Sequence, residues 1–66
     1  MNYVASSNLL AVGYQDNILR IQFHSGAVYD YFNVPEVVYL SLMTAPSKGK
    51  YHDRFIKKLY PYRRVA

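Results

Sequence analysis

Cysteine is absent from this 66-residue chain, so neither a disulfide framework nor a thiolate zinc site can reinforce it. A cytoplasmic setting is the natural expectation. Imidazole is scarce, since His24 and His52 are the only histidines and neither has an evident nucleophile or metal companion in sequence. The four carboxylates, Asp16, Asp30, Glu36 and Asp53, lack the paired spacing of acid–base catalysis. His52 and Asp53 are adjacent, and neighbours one residue apart on a helix do not face each other. No glycine-elbow serine and no Gly-x-x-x-x-Gly-Lys loop occurs, so acyl transfer and ATP or GTP binding are unsupported. The expectation is a protein that is not an enzyme and carries no metal and no cofactor. Long apolar runs are missing as well, and Met1 to Ser7 has neither a basic region nor a hydrophobic stretch. A soluble protein with no membrane partner and no export segment follows as an expectation.

What is present is small and unevenly charged. Residues 1–66 are expected to form one domain with room for one thin core, marginal unless it is well packed or oligomeric. Up to Pro46 the chain carries Arg20 against Asp16, Asp30 and Glu36; after it, Lys48, Lys50, Arg54, Lys57, Lys58, Arg63 and Arg64 face Asp53 alone. A basic end on a near-neutral body fits a partner rich in phosphate or carboxylate. The competing reading is that the lysines solvate a helix face.

Ser25 to Pro35 joins the two halves of the chain, with a glycine turn, the β-favouring run Val28–Phe32 and a proline suited to a helix start. Ahead of it, residues 8–15 alternate as a first strand, Asp16-Asn17 tolerates the left-handed angles of a tight hairpin, and Leu19, Ile21 and Phe23 mark a second strand. A tight turn sets Tyr14 opposite Leu19, Val12 opposite Ile21 and Leu10 opposite Phe23. The next turn admits two registers. A two-residue Ser25-Gly26 turn sends Asp30 to the apolar face, whereas a three-residue turn with Gly26 left-handed sends Tyr29 and Tyr31 there. The second is preferred, because an unpaired buried carboxylate is expensive.

Pro35 opens a helix to about Thr44, with Asn33 as cap, Glu36 in the first turn and Val38, Tyr39, Leu42 and Met43 as its apolar stripe. Ala45-Pro46 breaks it. Ser47 caps a second helix from Lys48 to about Leu59, whose apolar arc is Tyr51, Phe55, Ile56 and Leu59 and whose basic arc is Lys50, Arg54, Lys57 and Lys58. The fold expected is α+β, a three-stranded antiparallel meander with two helices on one face in the order βββαα. Its core should hold Leu10, Val12, Ile21, Phe23, Leu42, Phe55 and Leu59.

Tyr29-Asp30-Tyr31 at the centre, Ser6-Ser7-Asn8 and Val12-Gly13-Tyr14 before it, and Val34-Pro35, Ser47-Lys48-Gly49-Lys50-Tyr51 and Tyr60-Pro61-Tyr62 after it occur in an order that resembles the KTSC domain. The resemblance covers nearly the whole chain. The family is named after a C-terminal extension of some lysyl-tRNA synthetases and also occurs as small stand-alone bacterial and phage proteins. Its central mark is a Tyr-x-Tyr, matched by Tyr29 and Tyr31. The chain departs from the pattern at His52-Asp53, where an aromatic followed by asparagine is expected. The resemblance implies an RNA-binding role, inferred from attachment to a tRNA-handling enzyme.

Two functional readings result. The first is RNA or other polyanion binding, with Lys48, Lys50, Arg54, Lys57, Lys58, Arg63 and Arg64 as phosphate contacts and Tyr60 and Tyr62 as stacking residues. Ser47 and Gly49 at a helix start, with Lys48 and Lys50 beside them, suit an anion; alternatively Ser47 only caps and Gly49 permits close packing. Tyr29 and Tyr31 read as half-buried structural tyrosines. The second reading is a protein interaction module or small regulator that docks an acidic surface, pairs with itself or accepts a strand at the open edge of a three-stranded sheet.

Overall fold

The computed structural model describes residues 1–66. Five strands, β1 (Asn2–Tyr3), β2 (Leu9–Gln15), β3 (Ile18–Phe23), β4 (Val28–Tyr31) and β5 (Tyr62–Arg64), form one antiparallel sheet in chain order. Helices α1 (Glu36–Thr44) and α2 (Lys48–Phe55) lie between β4 and β5 in sequence. The α+β class and the central meander therefore agree with expectation, while the sheet has five strands and not three. The chain ends supply the extra two.

Asp16 and Asn17 both adopt positive φ, 52° and 64°, as a tight hairpin with right-handed twist requires. This locks Tyr14 to Leu19 and Val12 to Ile21. Further along, a β-bulge shifts the register so that Leu9, not Leu10, faces Phe23. The bulge turns Leu9 into the core and leaves Leu10 half-buried, with the Leu10 carbonyl accepting from Val4 N–H at 3.0 Å.

The turn after β3 is the three-residue form. Gly26 sits at φ 98°, Phe23 N–H donates to Ala27 O at 2.9 Å, and Ile21 pairs with Tyr29 and Leu19 with Tyr31. Asp30 accordingly points to the opposite face, across from Arg20. There the Arg20 guanidinium donates from Nε and Nη2 to the two carboxylate oxygens at 2.7 and 2.9 Å. Those hydrogen bonds hold the Asp30 carboxyl below the usual carboxylate range against the opposing pull of burial, and Arg63, its neighbour on β5, adds to the effect. The carboxylate is only 6% exposed, so this pairing is what makes its position tolerable.

Helix α1 begins without a side-chain cap. Pro35 occupies the cap position in extended conformation and Asn33, expected there, stands at φ 59° in the preceding turn. The entry is fixed instead by Val34, whose N–H donates to Asn17 O and whose carbonyl accepts from the Tyr14 hydroxyl. Ser47 does cap α2, its Oγ accepting from Lys50 N–H at 3.3 Å. The helix ends at Phe55, one turn before Leu59, because the His52 carbonyl takes the N–H groups of both Ile56 and Lys57 and the backbone turns away.

The core is Leu9, Val12, Leu19, Ile21, Tyr31, Val34, Leu42 and Ile56. Val12, Ile21 and Leu42 match expectation; Phe23 and Leu10 are half-buried. Phe55 and Leu59, 48% and 63% exposed, do not belong to it. The buried side of α2 is His52 with Ile56, one turn apart, which rotates Phe55 outward against Tyr51.

Candidate functional site

An open groove runs between α2 with its following turn and the β3–β4–β5 side of the sheet. Its floor is aromatic. Tyr29 and Tyr31 alternate onto the helix-covered face of β4, and β5 brings Tyr62 opposite Tyr31, with ring centroids 5.6 Å from Tyr29 and 5.8 Å from Tyr31. Phe23 closes the floor edge-on to Tyr29 at 5.9 Å. Ser47, Gly49, Lys50, His52 and Asp53 form one wall, and Lys57, Lys58, Tyr60 and Pro61 form its continuation. The volume, about 1240 Å³, exceeds the roughly 300–1,000 Å³ typical of enclosed small-molecule pockets, so a segment of a larger ligand fits better than a compact metabolite.

Below the floor, the Tyr31 hydroxyl and His52 Nε2 share a buried hydrogen bond of 2.7 Å. The His52 ring stands edge-on to both Phe23 and Tyr31, at 5.3 and 5.4 Å. Burial pushes the imidazole below its ordinary range, assisted by Lys57 and opposed by Asp53. It pushes the Tyr31 phenol up to about 12, with Tyr29 and Tyr62 adding to the rise. Both groups are therefore neutral near pH 7, and His52 serves as a flat ring with one polar tether.

The groove gathers nine of the residues singled out from sequence: Tyr29, Tyr31, Ser47, Gly49, Lys50, Lys57, Lys58, Tyr60 and Tyr62. It excludes four others. Lys48 folds back so that Nζ donates to Ala45 O at 3.3 Å, and Arg54 lies outside the lining. Arg63 shares the opposite sheet face with Asp30, and Arg64 donates from Nε to Ala66 O. The basic residues therefore do not form one helical arc, since Lys57 and Lys58 follow the helix end. His52 and Phe23 are the two aromatic lining residues that were not singled out as site residues. The signal for His52 was its i,i+4 relation to Ile56.

A Cβ added at Gly49 would meet Asn8 Cβ at 3.7 Å and Ser6 Oγ at 4.0 Å, ordinary contacts, so close packing does not require glycine there. Gly49→Ala should raise the Tm by about 2–8 °C through reduced freedom of the unfolded chain. Thermal unfolding checks this, and a lowered Tm would restore the packing role.

Across families of known proteins, the KTSC domain matches residues 5–60. The chain belongs to the KTSC domain family. Among similar proteins, the lysine–tRNA ligase of Trichormus variabilis is 46% identical over 48 residues, covering 73% of this chain and 9% of the ligase. The chain thus spans about a tenth of the length of such ligases. An uncharacterized protein of Stutzerimonas stutzeri is 38% identical over 63 residues, covering 91% of this chain and 89% of that one. In three dimensions the domain is similar to the crystal structure of a KTSC domain protein from Yersinia pestis, with TM-score 0.94, 39% identity, and coverage of 98% of this chain and 94% of the other. No helix is long and apolar enough to cross a membrane, and no three His, Cys, Asp or Glu side chains cluster as metal ligands.

Proposed function

We propose that this KTSC domain binds RNA along the groove between α2 and the β4–β5 edge, without catalysis. The observation that carries the reading is that the exposed Lys50, Lys57 and Lys58, on α2 and the turn after it, line one groove with Tyr29, Tyr31 and Tyr62 from strands elsewhere in the chain. Cations flanking aromatic faces suit a ligand with phosphates outside and bases inside. The 48-residue similarity to part of a lysine–tRNA ligase supports this reading.

Three phosphate contacts on a single strand give a log–log salt slope of about −2, so affinity should fall about 20-fold between 50 and 200 mM salt. Changing Lys50, Lys57 and Lys58 together to Gln should flatten that slope and weaken binding about tenfold or more at 50 mM. Arg54→Gln, outside the groove, should change neither. Fluorescence anisotropy with labelled RNA, alongside circular dichroism to verify folding, checks these values. Parent-like binding by the folded triple variant would mean the lysines only solvate the surface. The edges available to a partner strand are β1 and β5, since β2 and β4 are both covered. A dimer in light scattering without salt-sensitive RNA binding would favour the interaction module.

A further inference from the structure

The groove's charge is divided along its length. Lys50 stands at the start of α2, Lys57 and Lys58 stand past its end, and Asp53, on the wall between them in sequence, forms an exposed ion pair with Lys57 at 3.8 Å. Asp53 offsets part of the Lys57 charge, and Lys58 beside it keeps that end of the groove cationic, so Lys50 and Lys57–Lys58 remain two separate positive positions. Between these positions the floor is formed by Tyr29, Tyr31 and Tyr62.

Tyr62 differs from the other two tyrosines. Its ring rests beside Tyr29 and Tyr31, yet the residue is 58% exposed, so it keeps an open surface. It is also held from behind. Tyr62 pairs with Tyr31 in the sheet, and the Pro61 carbonyl just before it accepts from Phe32 N–H at 2.8 Å. A supported ring open to solvent loses little freedom on receiving another flat ring.

Resting on the RNA-binding reading, we propose that the groove receives an unpaired nucleotide, with its base laid on Tyr62 and its flanking phosphates at Lys50 and at Lys57–Lys58, so that the domain selects single-stranded over duplex RNA. In an A-form duplex both faces of each base are covered by neighbours, and the exposed surface is phosphate and 2′-hydroxyl. Such a surface can touch the lysines but offers Tyr62 no free base face to stack on. A single strand can turn one base inward while its backbone stays at the rim.

The test is anisotropy at 50 mM salt with a 12-nucleotide oligouridylate and with a blunt 12-base-pair RNA duplex, using the full chain. The parent should bind the single strand at least about tenfold more tightly than the duplex. Tyr62→Ser should weaken single-strand binding by about 5- to 150-fold, the range of one lost base–aromatic stack. Its salt slope should stay unchanged and duplex binding should not move. Tyr62→Phe should retain parent affinity. Tyr62→Leu keeps an apolar side chain over Tyr29 and Tyr31 and serves if the serine variant unfolds; it too should lose single-strand affinity. Equal binding of duplex and single strand, or parent-like affinity of a folded serine or leucine variant, overturns base insertion. If the triple lysine variant still loses binding in that case, the RNA-binding reading stands alone. Absence of binding to both RNAs by the parent overturns both.

Discussion

Leu42→Ala should lower stability by about 2–5 kcal/mol, the range for emptying a fully packed leucine site. Leu42 is the one buried residue of α1, completely withdrawn from solvent. The helix's other contacts are only partly buried: Val38, Tyr39 and Met43 pack against the core, with Tyr39 stacked on Tyr14 at 4.9 Å. The helix spans nine residues, lacks a side-chain cap and carries no basic residue in its last turn. Isolated helices of that length are marginal in water, so α1 persists through its packing on the sheet, and Leu42 is the one contact of that face fully inserted into the cluster with Ile56. Against the 5–15 kcal/mol usual for a domain, and with only eight residues in the core, this loss should remove most of the folded margin. Urea unfolding followed by circular dichroism measures it. Leu40→Ala, two residues away on the exposed side, should stay within about 0.5 kcal/mol of the parent. Comparable losses from both would mean that the helix faces the sheet differently.

The central meander was legible because its signals were chemical. Asp16-Asn17 supplied the two left-handed residues a tight hairpin needs. Asp30 decided the register of β4, since only one choice kept the carboxylate off the apolar face, and that choice also set it against Arg20. The bulge was not legible. Leu9 and Leu10 are equally apolar neighbours, so alternation cannot say which faces inward. The edge strands failed for a different reason: β1 has two residues and β5 three, too few for a period, and their hold on the sheet comes largely from backbone hydrogen bonds. Arg63-Arg64 therefore read as a charged tail, although the segment completes the sheet.

The candidate site was half legible for the same cause. Charge and aromaticity can be counted along a chain, and Lys50, Lys57, Lys58, Tyr60 and Tyr62 were singled out on that basis. Whether they share a surface depends on where α2 stops and where the chain returns, and β5 determines both the position of Tyr62 and the removal of Arg63 to the other face. A helix continued to Leu59 would have made a basic stripe of Lys50, Arg54, Lys57 and Lys58. Termination at Phe55 instead divides those residues between the groove and open solvent. From sequence His52 stood out only for lacking a catalytic or metal companion and for departing from the family pattern, yet burial lowers its pKa and its ring packs edge-on to Phe23 and Tyr31.

Tyr31→Phe should cost about 1–3 kcal/mol at neutral pH, since it leaves the buried imidazole of His52 without its hydroxyl partner. His52→Phe should cost a similar amount by stranding the Tyr31 hydroxyl. The double variant should be more stable than the sum of the two losses allows, because replacing both polar partners by apolar rings removes the unsatisfied group altogether. The pH dependence has a definite sign on each side. Folding raises the Tyr31 phenol from 10.0 to about 12, so its contribution is complete below pH 10 and is lost between there and pH 12, about 2–3 kcal/mol in all. Folding lowers the His52 pKa, so the unfolded chain takes up the proton first and stability declines as pH falls through the unfolded value of 6.5, until the folded imidazole also protonates. Asp30, lowered by Arg20, adds a separate loss as pH falls below the unfolded carboxylate value of 3.8 and through its folded one. Urea midpoints of parent and Tyr31→Phe at pH 7.5, 9.5 and 11.5 isolate the phenol from the other tyrosines. The deficit of the variant should be constant over the first two values and shrink at the third. A deficit that persists unchanged at pH 11.5 would show that folding does not raise the Tyr31 phenol, and strictly additive losses in the double variant would show that the Tyr31–His52 hydrogen bond does not stabilise the floor of the groove.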